Sequence, residues 1–333
     1  MKSPAVRPLF RRREVLLLTG AAATLACAPA LAQNTNYPSR PITLVVGYPP
    51  GGSTDLTARV LGEQLARALG QPVVIENVGG AGGALGAQKV AQAAADGHTL
   101  LLGSNNEMAI AGLVNPALRY DPLKHFSPVG MVASQPMVLV ASPRAGMSDV
   151  ASFIERVKQN PGKFSYGSSG IGTGLNLAGE MVKQAAGLFI VHIPYRGVGP
   201  LTTDLIGGQL ELGVYVLSSG LPQIKAGKVV ALGVTERERS PVAPDIPALA
   251  ETPSLRTVDI GTWFGLWGPA GLPAPVTQRL RAALADALKA PALVEKLTAS
   301  GATIAPSGAV LADFQAAEIA KYRRIVDQAG IRV

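Results

Sequence analysis

Three segments bring hydroxyls, glycines and the start of a helical pattern together: "GYPPGGSTD" (47–55), "GSSGIGTG" (167–174) and "YRGVGPLTTD" (195–204). The first two contain no Lys, Arg or His. At a helix start the backbone N–H groups lack intrahelical partners and the macrodipole is positive, so such an end holds an anion through the main chain. Glycine lets the backbone approach a ligand and permits positive φ. Ser53, Thr54, Ser168, Ser169 and Thr173 either add hydroxyl donors or cap their helices, and Pro200 suits a first helical position. Asp55 is unusual beside an anion. It either favours its own helix N-terminus or accepts a hydrogen bond from a ligand water, hydroxyl or ammonium. Arg196 is the one strong cation in the three loops. It is fit to pair a second carboxylate or to stand as a solvated surface residue.

Other chemistries fit less well. A phosphate loop needs G-x-x-x-x-G-K-[ST], and no Gly-Lys-Ser/Thr occurs. The dinucleotide fingerprint G-x-G-x-x-G fails in "GGAGGALG" at Leu85 and in "GIGTGL" at Leu175. A nucleophile elbow, G-x-S-x-G, fails at Asp55 in "GGSTD" and at Ile171 in "GSSGI". His98, His125 and His192 are the only histidines, with no H-x-x-x-H spacing. They are read as structural, so neither a catalytic residue nor a metal or other cofactor is expected.

The elements that must position these loops follow from the hydrophobic pattern. Apolar runs such as "ITLVV", "PVVIEN", "HTLLLGS", "KFSYGS", "FIVHIPY" and "LELGVYVLS" alternate with helical patterns, which argues a parallel sheet with helices on its faces. Two long extended stretches, near 126–142 and 257–269, bracket a block with its own alternation. Read as crossovers, they divide the chain into a discontinuous domain (33–137 and 258–333) and an inserted one (138–257). The fold class is α/β, with two domains joined by two crossover strands and a ligand cleft between them.

Residues 1–32 have a basic start, an apolar segment from Val15 to about Ala28 and Ala30-Leu31-Ala32, the pattern of a signal peptide cut after Ala32. Arg12-Arg13 suits twin-arginine as well as ordinary export, and a lipid on Cys27, the single cysteine, is disfavoured by Thr24. The formal charge is +8. The segment carries Lys2, Arg7, Arg11, Arg12 and Arg13 against Glu14, so the remainder is +4. With 5% aromatics and no basic run, nucleic-acid binding is not indicated. A mildly basic exported chain suits anionic small molecules.

From "YPSRPITLVVGYPPGGSTD" through "YGSSGIGTGLNLAGE", "HIPYRGVGPLTTDLIGGQLE", "PDIPALAE" and "WFGLWGPAGLPAPV", the chain resembles the substrate-binding proteins of tripartite tricarboxylate transporters, the Bug family of extracytoplasmic receptors. The resemblance implies a two-lobed periplasmic-binding-protein fold of type II-like character that closes on a small organic acid. It implies a ligand carboxylate held by Gly51, Gly52, Ser53, Thr54 and Asp55, and by Ser168, Gly170, Gly172 and Thr173, with Asp204 nearby. Gly47-Tyr48 stands where the family often has Pro-Phe, and Asn176 where it often has His. Tyr48 is expected to line the pocket. The implied role is a monomeric, non-enzymatic periplasmic receptor. It would deliver a di- or tricarboxylate or an aromatic acid to the membrane components of such a transporter or to a sensor kinase. The competing reading is an exported hydrolase-like α/β enzyme acting on a small organic acid.

Overall fold

The first half-sheet is built around β1 (Ile42–Val46), whose near-continuous apolar run is buried on both faces, as expected for a parallel strand covered by helices. The computed structural model describes residues 37–306 and 310–332. The signal-peptide reading of residues 1–32, with Cys27 and Arg12-Arg13, lies outside the described residues. Contacts join Pro38–Val333 into one unit, within which the strands form two half-sheets.

The chain runs from β1 into α1 (Ser53–Leu69), β2 (Val73–Asn77), α2 (Ala84–Ala91) and β3 (Thr99–Ser104). A single π-helical turn (Asn106–Ile110) and the short α3 (Ala111–Val114) lead to a long strand, β4 (Phe126–Ala141). Then come α4 (Val150–Gln159), β5 (Ser165–Ser168), α5 (Gly174–Ala186), β6 (Val191–Pro194), α6 (Val198–Gly207), β7 (Leu212–Val216), α7 (Leu217–Lys225) and β8 (Val230–Val234). The return strand β9 (Gly261–Pro269) is followed by α8 (Ala274–Ala287), α9 (Pro291–Ala299), β10 (Thr303–Ile304) and α10 (Leu311–Ala329).

Strand order is β2-β1-β3-β9-β4-β7-β5-β6, with β8 and β10 also pairing β4. The β1–β2, β1–β3, β5–β6 and β5–β7 pairs are parallel, as the alternation indicated. The sheet is nevertheless mixed, because β9 runs antiparallel to both β3 and β4, and β4 antiparallel to β7 and β8. These are the two long stretches read as crossovers, and each enters against the local direction.

β4 changes partner in mid-strand. Phe126 to Pro136 pair with β9, whereas Met137 to Ala141 pair with β7. Beside this junction, Thr235 donates its N–H to Met137 O at 2.9 Å and accepts the Ile260 N–H at 2.9 Å. The two chain crossings are thus bonded to each other. Trp263, Phe264 and Trp267 of β9 are all buried, so the return strand fills the core next to the junction. No helix among the described residues is long and apolar enough to cross a membrane.

Candidate functional site

The loop after β1 is pressed against the 79–83 loop: a Cβ on Gly47 would lie 2.6 Å from Gly83 O. Gly51 has φ +93, a conformation that favours glycine, and Gly52 then precedes the first turn of α1 with φ −83 and ψ 174. The N–H groups of Ser53 and Thr54 fall in that turn, where no intrahelical acceptor exists.

Asp55 is buried and turned into the loop. Its Oδ2 accepts from Gly51 N at 3.0 Å and Arg59 Nε at 2.9 Å. Its Oδ1 accepts from Arg59 Nη2 at 2.9 Å and Asn77 Nδ2 at 2.9 Å. Burial alone would raise its pKa, but Arg59, Gly51 and Asn77 together hold it below the usual carboxylate value. Asp55 fixes the loop, and the Gly51 N–H is taken by it. Asp55→Ala should therefore cost roughly 1–3 kcal/mol, the scale of hydrogen bonds to a charged group. Because the folded pKa is depressed, this contribution is present above the unfolded carboxylate value. It is lost as pH falls through the folded one. Melting both proteins at pH 7 and again in acid checks it: the wild-type advantage should shrink as pH drops below about 4. An advantage independent of pH would contradict the assignment.

The second loop is held by its own side chains. Thr173 caps α5, accepting from Asn176 N at 3.3 Å and donating to Gly170 O at 2.8 Å. Asn176 Oδ1 accepts from Gly172 N at 3.0 Å, and its Nδ2 donates to Tyr166 OH at 2.8 Å. Ser168 Oγ lies 2.7 Å from His192 Nε2 and donates to Gly170 O at 2.9 Å. Burial pushes the His192 imidazole down to about 4. This Ser–His pair is enclosed: Ser168 has no exposed surface, so its oxygen does not meet a substrate from the cavity. In the third loop Tyr195 OH donates to Asp204 Oδ2 at 2.8 Å, which makes Asp204 a brace for that loop.

These loops surround a cavity of about 320 Å³. Tyr48 to Thr54, Ser104, Asn106 and Thr262 line it from the first half-sheet. Ser169, Leu175, Arg196 to Pro200, Val216 and Ser219 line it from the second, with Met137 of β4 between. Of the residues expected from sequence, Tyr48, Gly51, Gly52, Ser53, Thr54, Ser169 and Arg196 are brought together on its wall. Asp55, Ser168, Gly170, Gly172, Thr173, Asn176 and Asp204 are not lining residues; their bonds described above support the loops from behind. Ser104, Asn106, Ser219 and Thr262 were missed. "LLLGSNNE" did carry a signal, since polar residues at the end of an apolar strand are where open α/β sheets present ligand contacts.

The starts of α1, α5, α6 and α7 all contribute to the wall. Among the lining residues there is one full charge, Arg196, and no Asp or Glu. Tyr48, Pro49, Pro50, Met137, Leu175 and Val216 supply apolar surface. Electrostatically the cavity suits an anion with an apolar body.

Known proteins agree in sequence and fold. Residues 57–331 match the tripartite tricarboxylate transporter family receptor family, TctC. The chain is 35% identical to protein BugT of Bordetella pertussis over 313 residues, covering 93% of this chain and 95% of that one. It resembles the solved structure of Rhodopseudomonas palustris MatC with bound malate: TM-score 0.81, 33% identity, 87% of this chain and 100% of that one. It also resembles R. palustris Rpa4515 with adipate: TM-score 0.84, 32% identity, 89% of this chain and 99% of that one. With the family matched across most of its length and the two-lobed fold shared, the chain belongs to the tripartite tricarboxylate transporter receptor family, the Bug group of periplasmic solute-binding proteins.

Proposed function

We propose that this protein is a receptor that captures one small organic acid in the cavity between its half-sheets. The observation that carries the reading is the lining itself: four helix starts and one guanidinium converge there, with no carboxylate among the lining residues. One ligand carboxylate would sit on the first turn of α1, against the N–H groups and hydroxyls of Ser53 and Thr54. Arg196 and the start of α6 would take a second anionic group. The apolar wall between them favours a linear dicarboxylate or an aromatic acid. Malate and adipate, seen in the related structures, belong to the class to be tried.

The division into 33–137 with 258–333, and 138–257, is supported by the change of partner in β4 and by the Thr235–Ile260 bond. Family membership and the sequence pattern support a reading in which the protein is exported through residues 1–32, acts as a monomer and delivers its ligand to transporter membrane components or to a sensor kinase. A hydrolase reading rests on the Ser168–His192 pair. It is weaker, because Ser168 is buried behind its loop.

Thermal-shift measurements with malate, adipate, benzoate and citrate test the reading. A binding acid at a hundredfold excess over Kd should stabilise by about 2.7 kcal/mol and be recovered unchanged. Arg196→Ala should weaken adipate by roughly tenfold or more and weaken hexanoate little. Equal losses for both would remove Arg196 from the ligand, and equal stabilisation by an uncharged amide analogue would remove the carboxylate anchor.

A further inference from the structure

Behind the cavity wall lies Glu107, a carboxyl with no exposed surface in the π-helical turn after β3. Its Oε1 accepts from Ser104 N at 2.7 Å, and its Oε2 lies 2.8 Å from Ser104 Oγ and 2.9 Å from Tyr48 OH. No Lys, Arg or His pairs with it among the described residues. Its titratable neighbours are Tyr48, from the loop after β1, and Tyr120, whose hydroxyl donates to Glu107 O at 2.8 Å. Of the turn's other neighbours, α10 bonds it through Gln315 to Met108 O and brings Tyr322, which accepts from Asn105 Nδ2 at 3.3 Å. The 79–83 loop presents Gly82 and Gly83, and the charged Asp121 and Arg323 share a groove with Ala109. A carboxylate this deeply buried without a cation is costly in its charged form.

Proton counting leads to the same place. The Tyr48 oxygen lies 2.8 Å from Gly82 O and 2.9 Å from Glu107 Oε2, and accepts from Asn106 Nδ2 at 2.7 Å. A phenol has one proton to donate. With Glu107 ionised, one of the two short O···O contacts holds no hydrogen. With a proton on Oε2, Glu107 donates to Tyr48, Tyr48 donates to Gly82 O, and both contacts are satisfied. Three of the residues involved, Tyr48, Ser104 and Asn106, also line the cavity, so Glu107 is one hydrogen bond removed from the ligand.

We propose that Glu107 is a proton-binding site coupled to ligand capture: the receptor takes up its carboxylate together with a proton from solvent onto Glu107 Oε2, and releases the two together. The coupling rests on the reading of the cavity as a carboxylate site. Burial, opposed by hydrogen bonds from Ser104 and Tyr48, already pushes the Glu107 carboxyl up to about 7 in the protein without ligand. An anion bound behind Tyr48 favours the neutral form further. The raised group binds its proton below this value, so capture strengthens as pH falls towards 6 and weakens as it rises above 7. A rise of one pKa unit on binding corresponds to a Kd about tenfold weaker at high pH than at low pH.

The test is calorimetry with whichever of malate, adipate, benzoate or citrate gives the largest thermal shift. Titrations at pH 7.5 in phosphate and in Tris, which differ in ionisation enthalpy, read the protons taken up. About 0.3–0.6 proton per ligand is expected, with Kd rising about three- to tenfold between pH 6 and pH 8.5. Glu107→Gln should bind with no proton uptake and a flat pH profile. Glu236→Gln, at another carboxyl raised to about 7 by burial beside Asp259 but outside the cavity, should keep the linkage. Binding without proton uptake, or with uptake unchanged in Glu107→Gln, overturns the coupling alone. Failure of all four acids to bind overturns the carboxylate reading and the coupling with it. Infrared difference spectra between wild type and Glu107→Gln, taken without ligand, then decide the proton site by itself: a protonated-carboxyl band at pH 6 supports it, and its absence overturns it.

Discussion

Gly52→Val is expected to abolish carboxylate capture while leaving the protein folded. The position has φ −83 and ψ 174, extended backbone that valine adopts freely. A Cβ there would meet no heavy atom within 4 Å, and Gly52 is part of the cavity lining. The cost to the fold is limited to a poorer helix cap, about 1 kcal/mol or less. The cost to the ligand is steric, at the place where its carboxylate would meet the first turn of α1, and should exceed about a hundredfold, or 2.7 kcal/mol. Ser53→Ala removes one hydroxyl and keeps every N–H, so it should weaken binding by roughly tenfold to a hundredfold at most. Calorimetry on both variants, with melting of the unliganded proteins as control, ranks them. If Ser53→Ala abolished binding and Gly52→Val did not, the anchor would be the hydroxyl and not the backbone.

A second large effect is expected at the opposite wall. Gly174 opens α5 and donates its N–H to Asn106 Oδ1 at 2.6 Å, a bond that joins the second half-sheet to the first across the edge of the cavity. A Cβ on Gly174 would lie 2.8 Å from Asn105 Nδ2, 2.8 Å from Met137 Cε and 3.3 Å from Asn106 Oδ1. Asn105 cannot yield easily. Its Oδ1 accepts from Thr262 Oγ1 at 2.8 Å, and its Nδ2 donates to Gly261 O at 3.3 Å. Gly174→Val should therefore hold the start of α5 away from the π-helical turn. Affinity is expected to fall by about a hundredfold, with a larger radius of gyration in small-angle scattering when ligand is present. Wild-type affinity and an unchanged radius would show that this close approach is not needed for capture.

The same residues show what could be read from sequence. The first loop and α1 were legible because their signals are local: an apolar run, Pro and Gly, then a helical pattern from Ser53 to Leu69. The two long strands were legible as extended, but their direction was not, since nothing local distinguishes antiparallel entry from the parallel pattern around it. Sequence alone leaves Asp55 between its own helix N-terminus and the ligand, and only the family resemblance places it at the ligand. Arg59, four residues on, is a partner that helical spacing offers, but Asn77 reaches Asp55 only through the β1–β2 pairing. Ser104 and Thr262 meet at the cavity because β3 lies beside β9, with Ser104 opposite Phe264. That neighbourhood is fixed by topology, and no window of sequence contains both residues. Glu107 escaped for a related reason: a lone Glu after "SNN" reads as solvated until its burial is known.

The shared strand β4 also sets the order in which the molecule can be completed. Its first part and the edge of β3 both pair with β9, so Leu101 waits for Trp267 and Pro136 for Gly261. A chain emerging from its N-terminus exposes those strand edges until the inserted block has been made. Long-range pairings of this kind slow folding, and waiting edges invite association with other chains. The inserted block suffers no such delay, since Val138 to Ala141 find β7 and β8 within it. Refolding should therefore be biphasic, with amide protection gained first in β5, β7 and β8 and last along β3 and β9. The strand that links the two halves of the cavity would then also be the place where the slow phase is decided.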